Sequence, residues 1–345
     1  MAIDEQSGAE RSPESATGTG DGLTSYPRPQ RPAAGGRRPP SAGDFHADSM
    51  LHQRSTPPRS GWRRVLYRAS GRKINPGPGV AELRERELIG RVRTRVDGCR
   101  RIAVVSRKGG VGKTTTTLNL GHTFALHRGD RVVAVDGNPD AGSLGYRVPR
   151  ETANTITNLL VARKNVSRYG DIRAYTSQAP TRLEVIAADD DPRITHALGE
   201  EDYRRVVELL EVHYNLICMD TGTGVLESAS KGILHLADQL VVVAGPNLDS
   251  ARAASSTLDW LDKNDYEGLV ARSVAVINAT RPKGMVDLDE VERHFQSRCA
   301  AVVRIPWDPL LEAGAETSLE ELRPATAQAY LELAAHVASG FAERR

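Results

Sequence analysis

The chain has 345 residues, enough for one large domain or two modest ones, and its 39% hydrophobic content is low for a wholly globular chain, which directs attention to a polar segment. No apolar run approaches the ~20 residues that a membrane-spanning helix needs. A net charge of +2 selects no partner by itself, and the three cysteines, Cys99, Cys218 and Cys299, lie too far apart for a C-x-x-C metal or redox pair. That cysteine usage suits a reducing compartment. The opening MAIDEQSGAE is acidic and polar, unlike a signal peptide, so a soluble cytoplasmic protein is expected.

Residues 1–60 are rich in Pro, Gly, Ser and Arg, with PRPQRPAAGGRRPPSAG at the centre. So few apolar side chains cannot offset the entropy of ordering, and a disordered tail with local polyproline character is expected. Such a tail is either a ligand for a partner that recognises Pro-rich segments or a plain extension. Residues 61–100 form a basic, partly helical extension. GWRRVLYRASGRK is short, basic and partly apolar, and NPGPG breaks the chain after it. AELRERELIGRVRTRV then places Leu88, Ile89, Val92 and Val96 at helical spacing among arginines. This stretch suits contact with anionic lipid, DNA or an acidic partner, or a helix docked on the main domain with solvated arginines.

Residues 101–345 read as one α/β domain. RIAVV, DRVVAVD, LEVIAA, NLICMD, DQLVVVAG, RSVAVIN and AVVRIP are strand-like runs. Helical segments such as DYRRVVELLEVHY and SSTLDWLDKND separate them. Continuous apolar strands alternating with helices predict a mostly parallel sheet covered on both faces. Between the first strand and its helix lies SRKGGVGKTT, the strand–turn–helix context of a phosphate-binding loop. Small residues let the amides of Gly109, Gly110, Val111 and Gly112 face a phosphate, and the helix adds its N-terminal dipole. Lys113 is placed for the β- and γ-phosphates, Thr114 for Mg²⁺ and Thr115 for the α-phosphate. Asp136 and Asp220 each end an apolar strand, where open α/β sheets bind ligands.

KGGVGKTT resembles the deviant Walker A motif of the MinD/ParA family of P-loop ATPases. The resemblance implies a MinD-like P-loop fold, ATP and Mg²⁺ as ligands, and a tolerated Arg107 where the ordinary loop has glycine. It makes Lys108 the lysine that reaches across a nucleotide-sandwich homodimer to the partner's phosphates. Asp136 and Asp220 become metal-site carboxylates. VVAVDGNPDAGSLG becomes switch I, where Asn138 replaces the carboxylate that orients the attacking water. Asn138 can hold a water but cannot accept its proton, so either Asp140 substitutes or turnover is slow. Thr221 to Gly224 resemble switch II. VINATR lacks the N-K-x-D pattern of GTPases, and Asn278 matches the adenine-contacting asparagine of the family, with Pro306 and Trp307 in the later base loop. In the C-terminal ATAQAYLELAAHVASGFAERR, Tyr330, Leu333, Ala334, Val337 and Phe341 share one face. The alternatives there are the membrane-binding helix of MinD proteins and a helix packed on the sheet. Its alanine content and mixed charge favour packing, leaving peripheral membrane contact to partners.

A narrower likeness covers residues 61–345. GWRRVLYR, INPGPGVAELRERELIGRVR, DGNPDAGSLG, RLEVIAADDDP, DTGTG and TLDWL resemble the actinobacterial MinD-like ATPases associated with type VII (ESX) secretion. In that group N-P-D is usual, which makes Asn138 a group feature. The implied function is an ATP-dependent dimerising switch with a protein partner in secretion or positioning machinery. The competing readings are a ParA-like DNA-binding protein and a nucleotide-binding scaffold with little hydrolysis.

Overall fold

Each apolar run picked out above becomes a strand, because branched side chains buried on both faces leave the backbone nowhere to hydrogen-bond except its neighbours. The computed structural model describes residues 56–59, 61–138, 142–195, 198–222, 228–281 and 285–342. The Pro-rich stretch therefore lies almost wholly outside the described residues. Two helices come first, α1 (Gly61–Ala69) and α2 (Val80–Val92). Strands and helices then alternate: β1 (Arg100–Val105), α3 (Lys113–His127), β2 (Val132–Gly137), α4 (Ile156–Ala162), α5 (Tyr169–Arg173), β3 (Ser177–Gln178), β4 (Glu184–Ile186) and α6 (Pro192–Thr195). The second half holds α7 (Glu200–Glu211), β5 (Leu216–Thr221), α8 (Ser228–Leu236), β6 (Gln239–Ala244), α9 (Leu248–Asp262), α10 (Glu267–Ala271), β7 (Val274–Thr280), α11 (Leu288–Gln296), β8 (Ala301–Pro306), α12 (Pro309–Ala313) and α13 (Pro324–Ser339).

The eight strands form one sheet in the order β3-β4-β2-β5-β1-β6-β7-β8. Only the two-residue β3, which no sequence pattern announced, runs antiparallel; the other neighbours pair in parallel. From β1 the chain first builds toward β4 and later toward β8, so the winding reverses at β1. In such a sheet the crevice beyond the strands' carboxyl ends at that reversal is the expected ligand site.

Alternate residues divide between two cores. Ile102 and Val104 of β1, Val132 and Ala134 of β2, and Leu216 and Cys218 of β5 join one core with α3 and α13. Ala103 and Val105, Val133 and Val135, and Ile217 and Met219 join the other, covered by α7, α8 and α9. The predicted apolar face is buried throughout, Tyr330, Leu333, Ala334 and Val337 on α13 and Phe341 in the 3-10 turn Gly340–Ala342 that follows it. Phe124 of α3 meets Phe341 with ring centroids 5.8 Å apart. Cys218 is fully buried, and burial pushes its thiol up to about 12, so it acts as a small core residue.

The arginine-rich stretch divides in two. Leu88 and Val92 of α2 are buried in the α13 core, and Arg84 pairs with Glu332 at 2.7 Å. This helix stops at Val92, so Val96 packs against the core from the turn that follows rather than from the helix. By contrast, α1 buries none of its residues.

Candidate functional site

Residues at or just beyond the carboxyl ends of β1, β2, β6, β7 and β8 line a cleft of about 620 Å³. Its floor is the loop from Ser106 to Gly112. Gly110 and Gly112 have φ of 73° and 90°, the left-handed region that favours glycine. A Cβ on Gly112 would also fall 2.0 Å from Asn278 Nδ2, so a side chain is excluded on two counts. Gly112 precedes α3, whose N-terminus has no side-chain cap. The first amides of a helix have no partners within it, so this end offers N–H groups and a positive dipole to an anion.

The two lysines of the loop have different surroundings. Lys113 is buried, and its Nζ lies 3.4 Å from Asp220 Oδ1, which also accepts from Thr117 Oγ1 at 3.3 Å. Lys108 is about half exposed and donates to Asp249 Oδ2 at 2.5 Å, on the first turn of α9. That contact holds the Asp249 carboxyl below its usual range.

Asp136 and Asp220 are register partners on neighbouring strands, and both are fully buried. The amides of Asn138 and Leu144 donate to Asp136 at 3.2 and 2.9 Å. A Cβ on Gly142 would sit 2.1 Å from the Asp136 carboxylate oxygens, so the chain passes there only as glycine. Burial pushes the Asp136 carboxyl well above the carboxylate range, and the neighbouring Asp220 charge pushes the same way. Two buried carboxylates thus share one buried lysine, and Asp220 Oδ2 has no hydrogen-bond partner. An orphaned carboxylate oxygen beside surplus negative charge fits a divalent cation held through one or two carboxylates and phosphate oxygens. Thr114, on the cleft wall, is the hydroxyl available to the same cation.

Asn278 Nδ2 donates to the Val111 carbonyl at 2.8 Å, tying the end of β7 to the phosphate loop. That leaves Oδ1 as an acceptor and the second N–H of Nδ2 as a donor. Pro306 and Trp307 line the same cleft. Arg281 lies 4.5 Å and Arg323 5.3 Å from the Trp307 ring centroid, and Nε1 donates to Glu312 at 3.0 Å. Asn138 lines the cleft, whereas Asp140, Thr223 and Gly224 lie outside the described residues. Thr221 is fully buried and its hydroxyl donates to the Val104 carbonyl at 3.0 Å, so it braces β1.

Sequence reading missed Arg147. It ends a short 3-10 turn, Leu144–Arg147, and its Nη1 donates to Thr115 Oγ1 at 3.1 Å inside the cleft. Burial pulls its pKa below the usual guanidinium range, as expected of a cation with too few anions around it. No motif spacing marks it; only the fold carries it to the first turn of α3.

Residues 99–263 match the AAA domain family. The chain is 39% identical over 284 residues to the ESX-1 secretion-associated protein EspI of Mycobacterium tuberculosis, covering 81% of this chain and 42% of that protein. It therefore spans well under half the length of that relative. The septum site-determining protein MinD of Synechocystis is 27% identical over 190 residues, covering 55% of this chain and 68% of that one. Among solved structures, a ParA family ATPase from Chlorobium tepidum superposes with a TM-score of 0.59 at 18% identity over 69% of this chain and 99% of the other. MinD of Pyrococcus horikoshii, solved as a complex with Mg-ADP, gives 0.55 at 19% identity over 68% and 94%. Both likenesses are in fold.

Proposed function

This chain belongs to the MinD/ParA family of P-loop ATPases, and we propose that it works as an ATP- and magnesium-dependent switch that closes into a symmetric dimer. The contrast between the two loop lysines carries this reading. Lys113 is buried against Asp220, in place to serve a phosphate bound by its own chain. Lys108 is half exposed and held by a carboxylate of α9, free to leave for another chain's phosphates. A cation supplied by a second subunit stabilises charge that develops in phosphoryl transfer, as an arginine finger does.

On this reading the amides of Gly109 to Gly112 and the N-terminus of α3 bind the phosphates, with Thr115 and Arg147 toward the α-phosphate. Thr114, Asp220 and Asp136 hold the magnesium ion, which when bound neutralises phosphate charge. Asn278 stands at the end of β7 where the family's adenine-contacting asparagine stands. One N–H of its Nδ2 is taken by the Val111 carbonyl, which leaves Oδ1 as an acceptor and the second N–H as a donor toward the adenine edge. Pro306 and Trp307 close the base side of the cleft.

The similarity to a secretion-associated protein supports type VII secretion machinery as the partner of the closed dimer. Solution mass tests the switch. The wild-type chain should double its mass with ATP and Mg²⁺ and revert with ADP. Lys113→Ala should lose nucleotide binding, and Lys108→Ala should bind ATP yet stay single. An unchanged mass in ATP and ADP would sink the reading. Asn138 supports a second one, a nucleotide-held scaffold that barely hydrolyses. Phosphate release no faster than that of Lys113→Ala would favour it.

A further inference from the structure

Outside the cleft, the most unusual feature among the described residues is the outward face of α1. Its sequence, GWRRVLYRA, puts Trp62, Val65, Leu66 and Ala69 at positions i, i+3, i+4 and i+7, one stripe of the helix. A surface helix ordinarily turns such a stripe to the core. Here it points to water: Trp62 and Val65 are each 67% exposed and Leu66 is 37% exposed. Arg63 and Tyr67 are the half-buried residues of the helix, and Arg64 and Arg68 are exposed beside the stripe. Arg63 Nη1 donates to the Pro76 carbonyl at 3.0 Å, fastening α1 to the loop before α2. Ile74, just past the helix, is also 54% exposed.

Charge surrounds the stripe with one sign only. Arg63, Arg64, Arg68, Arg72 and Lys73 lie within Gly61–Lys73, and that segment holds no acidic residue. Among the described residues, none of the five forms a salt bridge. The arginines of α2 are used differently, since Arg84 and Arg86 pair with Glu332 and Glu82.

We propose that α1 is an interfacial helix that lays its Trp62–Val65–Leu66 stripe into the surface of an anionic lipid bilayer. A bilayer boundary accepts an apolar stripe and a fringe of cations together, and tryptophan prefers that depth. Duplex DNA would attract the same cations but leave Trp62, Val65 and Leu66 in water, so it accounts for half of the feature. The C-terminal helix cannot take this role, because its apolar face is already buried against the sheet. The inference stands apart from the nucleotide switch, since no residue of α1 lines the cleft.

Vesicle flotation of the full chain tests it, with vesicles of equal parts phosphatidylglycerol and phosphatidylcholine against vesicles of phosphatidylcholine alone. The chain should float with the anionic vesicles and remain behind with the neutral ones. Trp62→Ser with Leu66→Ser keeps every cation and should weaken binding at least about tenfold. Arg64→Glu with Arg68→Glu keeps the stripe and should weaken it similarly, and added salt should do the same to the wild type. All four side chains lie outside the core and the cleft, so nucleotide binding serves as the control for folding. Equal flotation with neutral vesicles, no flotation at all, or wild-type flotation by the serine pair overturns the proposal. Retention of duplex DNA by the serine pair in the absence of flotation would assign the face to nucleic acid instead.

Discussion

Asn278 shows one side chain with a structural duty beside its expected one. The sequence marked it for the base, and the fold uses its Nδ2 to hold the Val111 carbonyl of the phosphate loop. Asn278→Ala should therefore lower ATP affinity about tenfold or more by freeing the loop and leaving a buried carbonyl unpaired. Asn278→Asp should be worse, because a carboxylate oxygen would face that carbonyl. Calorimetric titration of both variants separates this bracing role from an Oδ1 contact with the base alone, for which Asn278→Asp, keeping an acceptor oxygen, would cost less than Asn278→Ala. His122 makes a second prediction at this scale. It is buried on α3, its Nδ1 lies 2.7 Å from Thr181 Oγ1, and burial pulls its pKa from 6.5 down to about 4. Between those values the unfolded chain takes up a proton that the folded chain refuses. The stability tied to the neutral ring is complete above pH 6.5 and falls as pH drops toward 4, by about 3 kcal/mol in all. Urea unfolding at pH 7 and 5 should show the loss, and His122→Leu should flatten it.

Among elements, the docking of α2 on α13 sets what the arginine-rich stretch can do. Leu88 is 5% and Val92 0% exposed, so this helix is part of the core of the domain. Leu88→Ala should cost about 2–4 kcal/mol in urea unfolding, the range for a buried leucine, with nucleotide affinity little changed. Periodicity alone marked 81–96 as helical, with Leu88, Ile89, Val92 and Val96 on one face. It could not show whether that face met protein, lipid or DNA, because each would accept the same stripe. Next to the edge strand β3, β4 carries the buried Glu184, which accepts from Thr176 at 2.9 Å, Tyr214 at 2.5 Å and the Tyr169 hydroxyl. A buried carboxylate ringed by hydroxyls resembles a catalytic acid, but these bonds join β4 to the helix and loops around it, away from the cleft. Glu184→Ala should destabilise the fold by about 3 kcal/mol, since several buried donors lose their acceptor together. Its nucleotide binding should stay intact below the melting temperature.

For the whole molecule, a ligand that binds only the folded chain must stabilise it. ATP with Mg²⁺ at about a hundred times its dissociation constant should add about 2.7 kcal/mol, or roughly 5–10 °C in Tm for a domain of this size. Chelation of the metal should remove most of that shift, and Lys113→Ala should abolish it. A thermal scan showing equal shifts with and without metal would contradict the fit of Asp220 and Asp136 to a cation. The sequence by itself determined every strand but β3, the glycine loop, the helix after it and the two carboxylates at strand ends. Those features are legible because their causes are local: strand burial needs contiguous apolar residues, and a phosphate cradle needs contiguous small ones. Only the tertiary structure decided that Asp136 lies beside Asp220, that Lys113 joins them, that Asn278 braces Val111 and that Lys108 rests on Asp249. It also carried Arg147 to Thr115 and left the stripe of α1 facing water. These contacts join residues far apart along the chain. They depend on a strand order in which β5 inserts between β2 and β1, and no short-range spacing encodes that insertion.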